Sequence, residues 1–303
     1  MIQASAQSGS APQQQVQAPA TTREDRWRAD LKFFAEQFPQ AQMDFGKLYP
    51  GKSFHRELGQ LEQELPQLSD SEVIFRFMRL VASARVAHNT VYWPEGALAF
   101  HSYPLQMAWY SDGLAVIAAG EEYKAALGTR VVRIGTMTPE QLESAVATYI
   151  AHENLPWLQQ LSPSFMVKQE VAAHFGLAAQ DGSIELTLAK AGTAPFRLRV
   201  APLAPGTHPN VVSVFDELHI PQPLYRKQPA ANYWYEYLPE SHTLFIQYNR
   251  CSEDPKKPFK DFADELFRIT DDQGNAVQRV VVDLRFNQGG DSSVVKPLVY
   301  GLR

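Results

Sequence analysis

The stretch VVVDLRFNQGGDSSVVKPLVYGLR, from Val280 to Arg303, decides the fold of the last part of the chain. Its first residues belong to RVVVDL, from Arg279 to Leu284, a near-continuous apolar run that is typical of a fully buried strand. A pair of glycines follows, and the residues from about Ser292 onward favour a helix. The stretch therefore predicts a strand, a tight turn and a helix in direct succession.

The residues before this stretch predict that its strand belongs to a parallel sheet. HTLFIQYNR, residues 242–250, has the pattern of a strand, and PFKDFADELFRIT, residues 258–270, has its apolar residues on one side of a helix. A strand, a helix and a strand joined by short turns form a right-handed crossover in a parallel sheet. Ligands of such sheets bind beyond the carboxyl ends of the strands, so we expect chemistry at Arg285 to Asp291.

The glycine pair, Gly289 and Gly290, has three interpretations. Backbone N–H groups at a glycine turn that enters a helix can bind an anion, so the pair could cradle a phosphate or stabilise an oxyanion. The pair could also do no more than turn the chain. NQGGDSS has neither the Gly-x-Gly-x-x-Gly nor the Walker spacing, which argues against a nucleotide-binding protein. An oxyanion hole needs only one or two N–H donors held in place.

The motif around these glycines resembles that of a known family. Asp283-Leu284-Arg285-x-Asn287-x-Gly289-Gly290, at the end of an apolar strand, is similar to the signature of the tail-specific, or C-terminal-processing, serine proteases, which are related to tricorn core protease and interphotoreceptor retinoid-binding protein. The resemblance extends from about Arg23 onward. Gln288 departs from the pattern, because the family usually has Gly or Pro there.

The resemblance implies a serine-type endopeptidase that hydrolyses polypeptides by acyl-enzyme chemistry. It implies that an N–H of Gly289 or Gly290 belongs to the oxyanion hole and that Asp283, Arg285 and Asn287 form the scaffold of the site. A non-catalytic homologue that binds a ligand or a peptide on the same fold is the alternative.

The resemblance places the catalytic serine some tens of residues beyond this motif. We therefore expect the chain to lack its nucleophile and to be inactive on peptides by itself. Ser292 and Ser293 are interpreted as helix caps and Cys251 as a partly buried thiol.

His88 is the candidate general base, because relatives in the tricorn-like branch carry a histidine after a helical segment. A lysine base, used in the other branch, is the alternative. The apolar stripe of the preceding helix continues to Ala84, and His88 four residues later is expected on the inward face at the helix end. A histidine that merely caps the helix is the structural alternative.

The sequence predicts a multi-domain α/β protein with five regions. We expect a disordered tail at 1–22, a helical region at 23–95, a PDZ-like module at 96–201, a linker or ordered loop at 202–231, and part of a catalytic α/β domain at 232–303. The PDZ-like module is either a structural element or a tether for substrate.

Composition excludes several function classes. The net charge of -5 over 303 residues argues against binding of nucleic acid, which needs an excess of positive charge. No apolar run is long enough to span a membrane. The scattered histidines and the single cysteine indicate neither a metal site nor a cofactor. Ala4-Ser5-Ala6 in the polar tail has the form of a signal-peptidase site, but no apolar core precedes it, so a plain disordered tail is favoured over a linker that follows an export signal. The tail and the family resemblance together predict a periplasmic or extracellular location. The oligomeric state stays open.

Overall fold

The chain forms two compact units in a computed structural model that describes residues 22–272, 277–287 and 289–301. The first unit ends at His219 and the second begins at Ile220. The predicted tail lies outside the described residues except for Thr22, and so does Gln288. The structure is 44% helical and 20% strand, which confirms the predicted mixture of helices and sheets. Each unit is described by itself.

Helices form the start of the first unit. They are α1 (Arg23–Ala41), α2 (Phe45–Leu48), α3 (Ser53–Glu64) and α4 (Asp70–Ala82). Their contact is aromatic, with the rings of Phe34 and Phe38 stacked at 4.7 Å and both packed on Phe54. A capping box begins α4: the Ser69 side chain accepts the Glu72 N–H, and the Glu72 side chain accepts the Ser69 N–H.

The expectation that His88 lies on the inward face of α4 was wrong. The helix ends at Ala82, and Arg85 takes a left-handed conformation with φ of 54°. This change of direction breaks the helical spacing between Ala84 and His88. His88 instead lies in an exposed turn.

An antiparallel sheet completes the first unit. Its strands β1 (Leu105–Tyr110), β2 (Gly113–Ala119), β3 (Arg130–Ile134), β4 (Ile184–Ala189) and β5 (Phe196–Val200) follow one another in space as in sequence, and β6 (Val212–Ser213) pairs with β2. Helices α5 (Pro139–Val146), α6 (Leu155–Met166) and α7 (Gln169–His174) lie between β3 and β4, and α8 (Val214–Glu217) follows β6. One hydrophobic core joins the helical region to this sheet, since it extends from Trp27 to Val214.

The second unit contains the predicted parallel crossover. Its elements are β7 (Tyr233–Leu238), β8 (Thr243–Tyr248), α9 (Phe259–Asp271), β9 (Arg279–Asp283) and α10 (Lys296–Gly301). The sheet order is β7-β8-β9, with β7 antiparallel and β9 parallel to β8, so the parallel pairing is confirmed. Phe259, Phe262 and Leu266 bury one side of α9 in the core of this unit.

The expectation that β9 is fully buried was wrong. Val280, Val281 and Val282 are 38%, 37% and 41% exposed, and only Asp283 is buried. The physical reason is position, because β9 ends the sheet and has β8 as its only neighbouring strand among the described residues. No helix in the described ranges is long and apolar enough to cross a membrane.

We predict that Leu266→Ala lowers the free energy of unfolding of the second unit by about 2–5 kcal/mol. Leu266 is 1% exposed in the core that holds α9 against the sheet, so its loss leaves a cavity. Leu284→Ala is the matched control, because Leu284 is 56% exposed in the same unit. Urea unfolding measures both variants, and equal losses would contradict the packing described for α9.

Candidate active site

The candidate site lies where the parallel strands β8 and β9 end. Because the strands run in the same direction, their carboxyl ends meet at one edge of the sheet. We call Asn287, Gly289, Gly290 and Asp291 the glycine turn. The Cys251 N–H donates to the Gly289 carbonyl at 2.9 Å, and the Asp291 N–H donates to the Cys251 carbonyl at 2.8 Å. The turn is thereby fixed to the chain that leaves β8.

Position 290 requires glycine. Gly290 has a φ of 120°, which residues with a side chain rarely adopt. A Cβ atom at this position would lie 2.4 Å from the Cys251 carbonyl oxygen. Gly289 also has a positive φ, 92°, but a Cβ atom there would meet nothing within 4 Å. Position 290 therefore requires glycine because two backbones approach closely there. Position 289 favours glycine only because of its backbone conformation.

The side chain of Asn287 ties the turn to both neighbouring segments. Its Nδ2 donates to the Tyr248 carbonyl at 3.0 Å, at the end of β8. Its Oδ1 accepts the Gly289 N–H at 2.8 Å and faces the half-buried Cys251 thiol at 3.5 Å. The predicted scaffold residue Asn287 thus contacts the glycine pair directly.

The backbone N–H groups of the turn differ in what they can bind. Asn287 engages the Gly289 N–H, and the Asp291 carboxylate accepts the Ser293 N–H at 2.8 Å. Asp291, rather than Ser292 or Ser293, therefore caps the helical segment that follows. The N–H of the exposed Gly290 has no acceptor among the described residues. One donor of the predicted pair is thus available to a negatively charged oxygen.

Asp283 and Arg285, which were predicted as scaffold residues, form an ion pair beside the turn. The Arg285 Nε lies 2.9 Å from Asp283 Oδ2, Nη2 bonds the same oxygen, and the Arg285 N–H donates to Oδ1 at 2.9 Å. Burial alone would raise the pKa of Asp283, but these donors outweigh burial and hold it below its ordinary value. The pair fixes the chain as it leaves β9.

Tyr225 supports the pair and was missed by the sequence analysis. The Arg285 guanidinium lies 3.7 Å from the centre of the Tyr225 ring, and Phe286 packs on the same ring at 5.4 Å. Tyr225 belongs to the stretch predicted as a linker or loop, where no periodic pattern marks a contact. The one sequence signal for stacking was that Tyr225 stands next to a basic residue, Arg226.

His88 belongs to the first unit and the glycine turn to the second. The His88 ring has no hydrogen-bond partner among the described residues. In the same turn, the Ala87 N–H donates to the Glu153 carboxylate at 3.1 Å. The described ranges also contain no group of three His, Cys, Asp or Glu side chains that could hold a metal ion.

We predict that Asp283→Asn costs about 1–3 kcal/mol of unfolding free energy at neutral pH, because the buried Asp283 carboxylate loses its charge-assisted hydrogen bonds to the exposed Arg285. The folded pKa of Asp283 lies below the unfolded value of about 3.9, so its contribution is present above that value and disappears as the pH falls through the folded pKa. The variant should accordingly lose less stability in acid than the unaltered protein.

Asp264→Asn is the control, since the Asp264–Lys260 pair of the same unit is exposed and should contribute far less. Urea unfolding between pH 7 and pH 3 measures both variants. A cost for Asp283→Asn that is as small as that of the control, or independent of pH, would contradict the role of the ion pair.

Comparison with known proteins gives a structural likeness only. No family model and no curated protein sequence matches the chain. The fold matches CPAF, a chlamydial serine protease. Mature CPAF complexed with lactacystin aligns at 11% identity and a TM-score of 0.57, over 89% of this chain and 58% of that one.

Two further CPAF structures agree. Mature CPAF aligns at 13% identity and a TM-score of 0.57, over 89% of this chain and 57% of CPAF. A serine-to-alanine variant of CPAF aligns at 13% identity and a TM-score of 0.55, over 88% and 57%. The chain spans somewhat more than half the length of the solved structures it matches, and it shares their fold.

Proposed function

We propose that the protein is a serine-type peptidase that hydrolyses polypeptides through an acyl-enzyme, with the oxyanion held at the glycine turn. The observation that carries this proposal is the exposed Gly290 N–H, which has no acceptor among the described residues. It lies at the carboxyl edge of parallel strands, where ligands of such sheets bind. The protease-like fold shared with CPAF supports the same reaction class.

In this mechanism a serine oxygen attacks the peptide carbonyl, and the carbonyl oxygen becomes negatively charged. The Gly290 N–H donates to that oxygen, and the bond from Asn287 to Gly289 keeps the turn in position for it. A fixed donor is effective because it needs no reorganisation as charge develops. Asp283 and Arg285 do not contact the oxyanion in this mechanism; they hold the chain between β9 and the turn.

We propose His88 as the general base, with a lysine as the alternative. Histidine ordinarily titrates near neutral pH and can accept the proton of a serine. The exposed His88 ring has no partner in the described part of the chain, so its nitrogens are available. The full activity is proposed for the whole protein, since the chain spans less than two thirds of the CPAF structures.

We further propose that residues 1–303 alone do not cleave peptides. In the described residues of the second unit, no serine hydroxyl is hydrogen-bonded to a histidine or lysine side chain. Ser293 contributes its N–H to the Asp291 cap, which is a structural role. A serine without such a base is a weak nucleophile.

We predict that the protein isolated from its native host hydrolyses an unstructured fluorogenic polypeptide and that a serine-directed inhibitor blocks it. His88→Gln should lower kcat by about 100- to 10,000-fold, because the general base is lost, with an unchanged melting temperature because His88 is exposed. His208→Gln, at another exposed histidine of the same unit, should leave kcat unchanged.

Absence of any hydrolysis by the native protein would overturn the peptidase proposal and favour a protein that only binds its ligand. Hydrolysis that persists unchanged in His88→Gln would overturn the assignment of the base and point to a lysine.

A further inference from the structure

A serine and a lysine meet in a cavity of the first unit, where neither the glycine turn nor His88 takes part. The Nζ of Lys168 lies 2.7 Å from the Oγ of Ser102. Among the described residues, this is the only hydrogen bond between a serine hydroxyl and a lysine or histidine side chain. Both residues are half-buried, so each is partly shielded from water and still reachable.

The backbone holds the two side chains against each other. Ser102 and Lys168 face one another in an isolated antiparallel bridge. On either side of it the Tyr103 N–H donates to the Val167 carbonyl at 2.8 Å, and the Gln169 N–H donates to the His101 carbonyl at 3.1 Å. The serine–lysine contact is therefore set by two fixed chain segments rather than by the free rotation of surface side chains.

The pair opens into a cavity of about 390 Å³, which falls within the usual range for small-molecule sites. Its walls are largely apolar, with contributions from Trp93, Leu105, Met107 and Ile117. Gln106 and Gln160 also line it, and neither side chain has a hydrogen-bond partner among the described residues. A cavity of this kind fits an apolar ligand that carries one polar, reactive group.

Burial acts against the charged form of Lys168. Burial lowers the pKa of Lys168 below its ordinary value and outweighs the opposing charge of Glu170. The Glu170 carboxylate is itself engaged by His101, whose Nδ1 lies 2.7 Å from Oε1 and whose backbone N–H donates to the same group. Besides Glu170, the face of the Trp93 ring favours the charged form of Lys168, because its centre lies 5.3 Å from Nζ.

We propose that Ser102 and Lys168 form a nucleophile–base pair that accepts an acyl group from an activated ester whose apolar part occupies this cavity. The Ser102 oxygen forms a bond to the ester carbonyl carbon while its proton passes to the neutral Lys168 amine. The bond from that carbon to the leaving oxygen then breaks, and the lysine gives the proton to this oxygen. The products are acyl-Ser102 and a free alcohol or phenol.

This reaction is independent of the peptidase proposal. It uses a small activated ester instead of a polypeptide and requires neither the glycine turn nor His88. The experiment can therefore succeed or fail whatever the outcome of the polypeptide assay.

The test treats residues 1–303 with 4-nitrophenyl butyrate and locates the acyl group by tandem mass spectrometry. We expect a single butyryl group on Ser102 and release of one equivalent of 4-nitrophenol. Ser102→Ala should abolish the release of this equivalent of 4-nitrophenol. Lys168→Met should slow the release by about 100-fold or more, because the base is lost. Ser164→Ala is the matched control in the same cavity, since Ser164 donates to the Leu161 carbonyl and has no lysine partner.

The pH dependence separates a base from a mere hydrogen-bond partner. The labelling rate should rise as Lys168 loses its proton, with a midpoint below the value of about 10.4 that is ordinary for lysine. Lys168→Arg keeps the charge and the donor but cannot accept a proton, so it should be as slow as Lys168→Met. Unchanged melting temperatures would show that both variants are folded.

Several results would overturn the proposal. Butyrylation of Lys168 itself, or spread over exposed lysines, would show that the amine is the nucleophile. A labelling rate that is the same in Ser102→Ala or in Lys168→Arg as in the unaltered chain would show that the pair has only a structural role.

Discussion

The candidate site depends on the close approach of two backbones, at Gly290 and Cys251. Any side chain at position 290 would overlap the Cys251 carbonyl oxygen, at 2.4 Å, so the turn can reach this conformation only with glycine. Hydrogen bonds from Cys251 and Asp291 then fix the turn to the end of β8. The Asn287 side chain adds one hydrogen bond to the Tyr248 carbonyl and one from the Gly289 N–H. Among the described residues of the turn, only the Gly290 N–H remains unengaged, beyond the carboxyl ends of β8 and β9.

This arrangement explains why the two glycines of the motif have different roles. Gly289 gives its N–H to Asn287, so it stabilises the turn. Gly290 allows the close approach because it has no side chain, and its N–H has no acceptor among the described residues. The likeness to CPAF, at 11–13% identity, establishes the fold alone. The peptidase proposal therefore rests on the geometry of the turn and on the proposed chemistry of His88.

Regular elements were predictable where local sequence decides them. LQMAWY forms β1 from Leu105 to Tyr110, and Thr138 caps α5 with Pro139 in its first turn. The parallel pairing of β8 and β9 followed from the order strand, helix, strand. The glycine motif predicted the place of the turn, because glycine is required wherever backbones come so close.

Other features depended on tertiary context. ALAFH, residues 97–101, alternates like a strand but enters a short 3₁₀ turn after Gly96, whose φ is 62°. The left-handed conformation of Arg85, which removes His88 from α4, has no signal in the residue type. The valines of β9 are as apolar as those of a buried strand, yet their exposure depends on which neighbours the sheet provides. The stacking of Tyr225 on Arg285 joins residues far apart in sequence.

The most direct measurement replaces single backbone amides by esters, which removes one N–H group and leaves every side chain unchanged. An ester at residue 290 removes the unengaged N–H and weakens the Gly289 carbonyl as acceptor of the Cys251 N–H, so it should cost only a little unfolding free energy and lower polypeptide hydrolysis by about 100- to 1000-fold. An ester at residue 289 should instead destabilise the protein, because the bond to Asn287 is lost. Undiminished hydrolysis with the ester at residue 290 would contradict the assignment of the glycine turn as the oxyanion site.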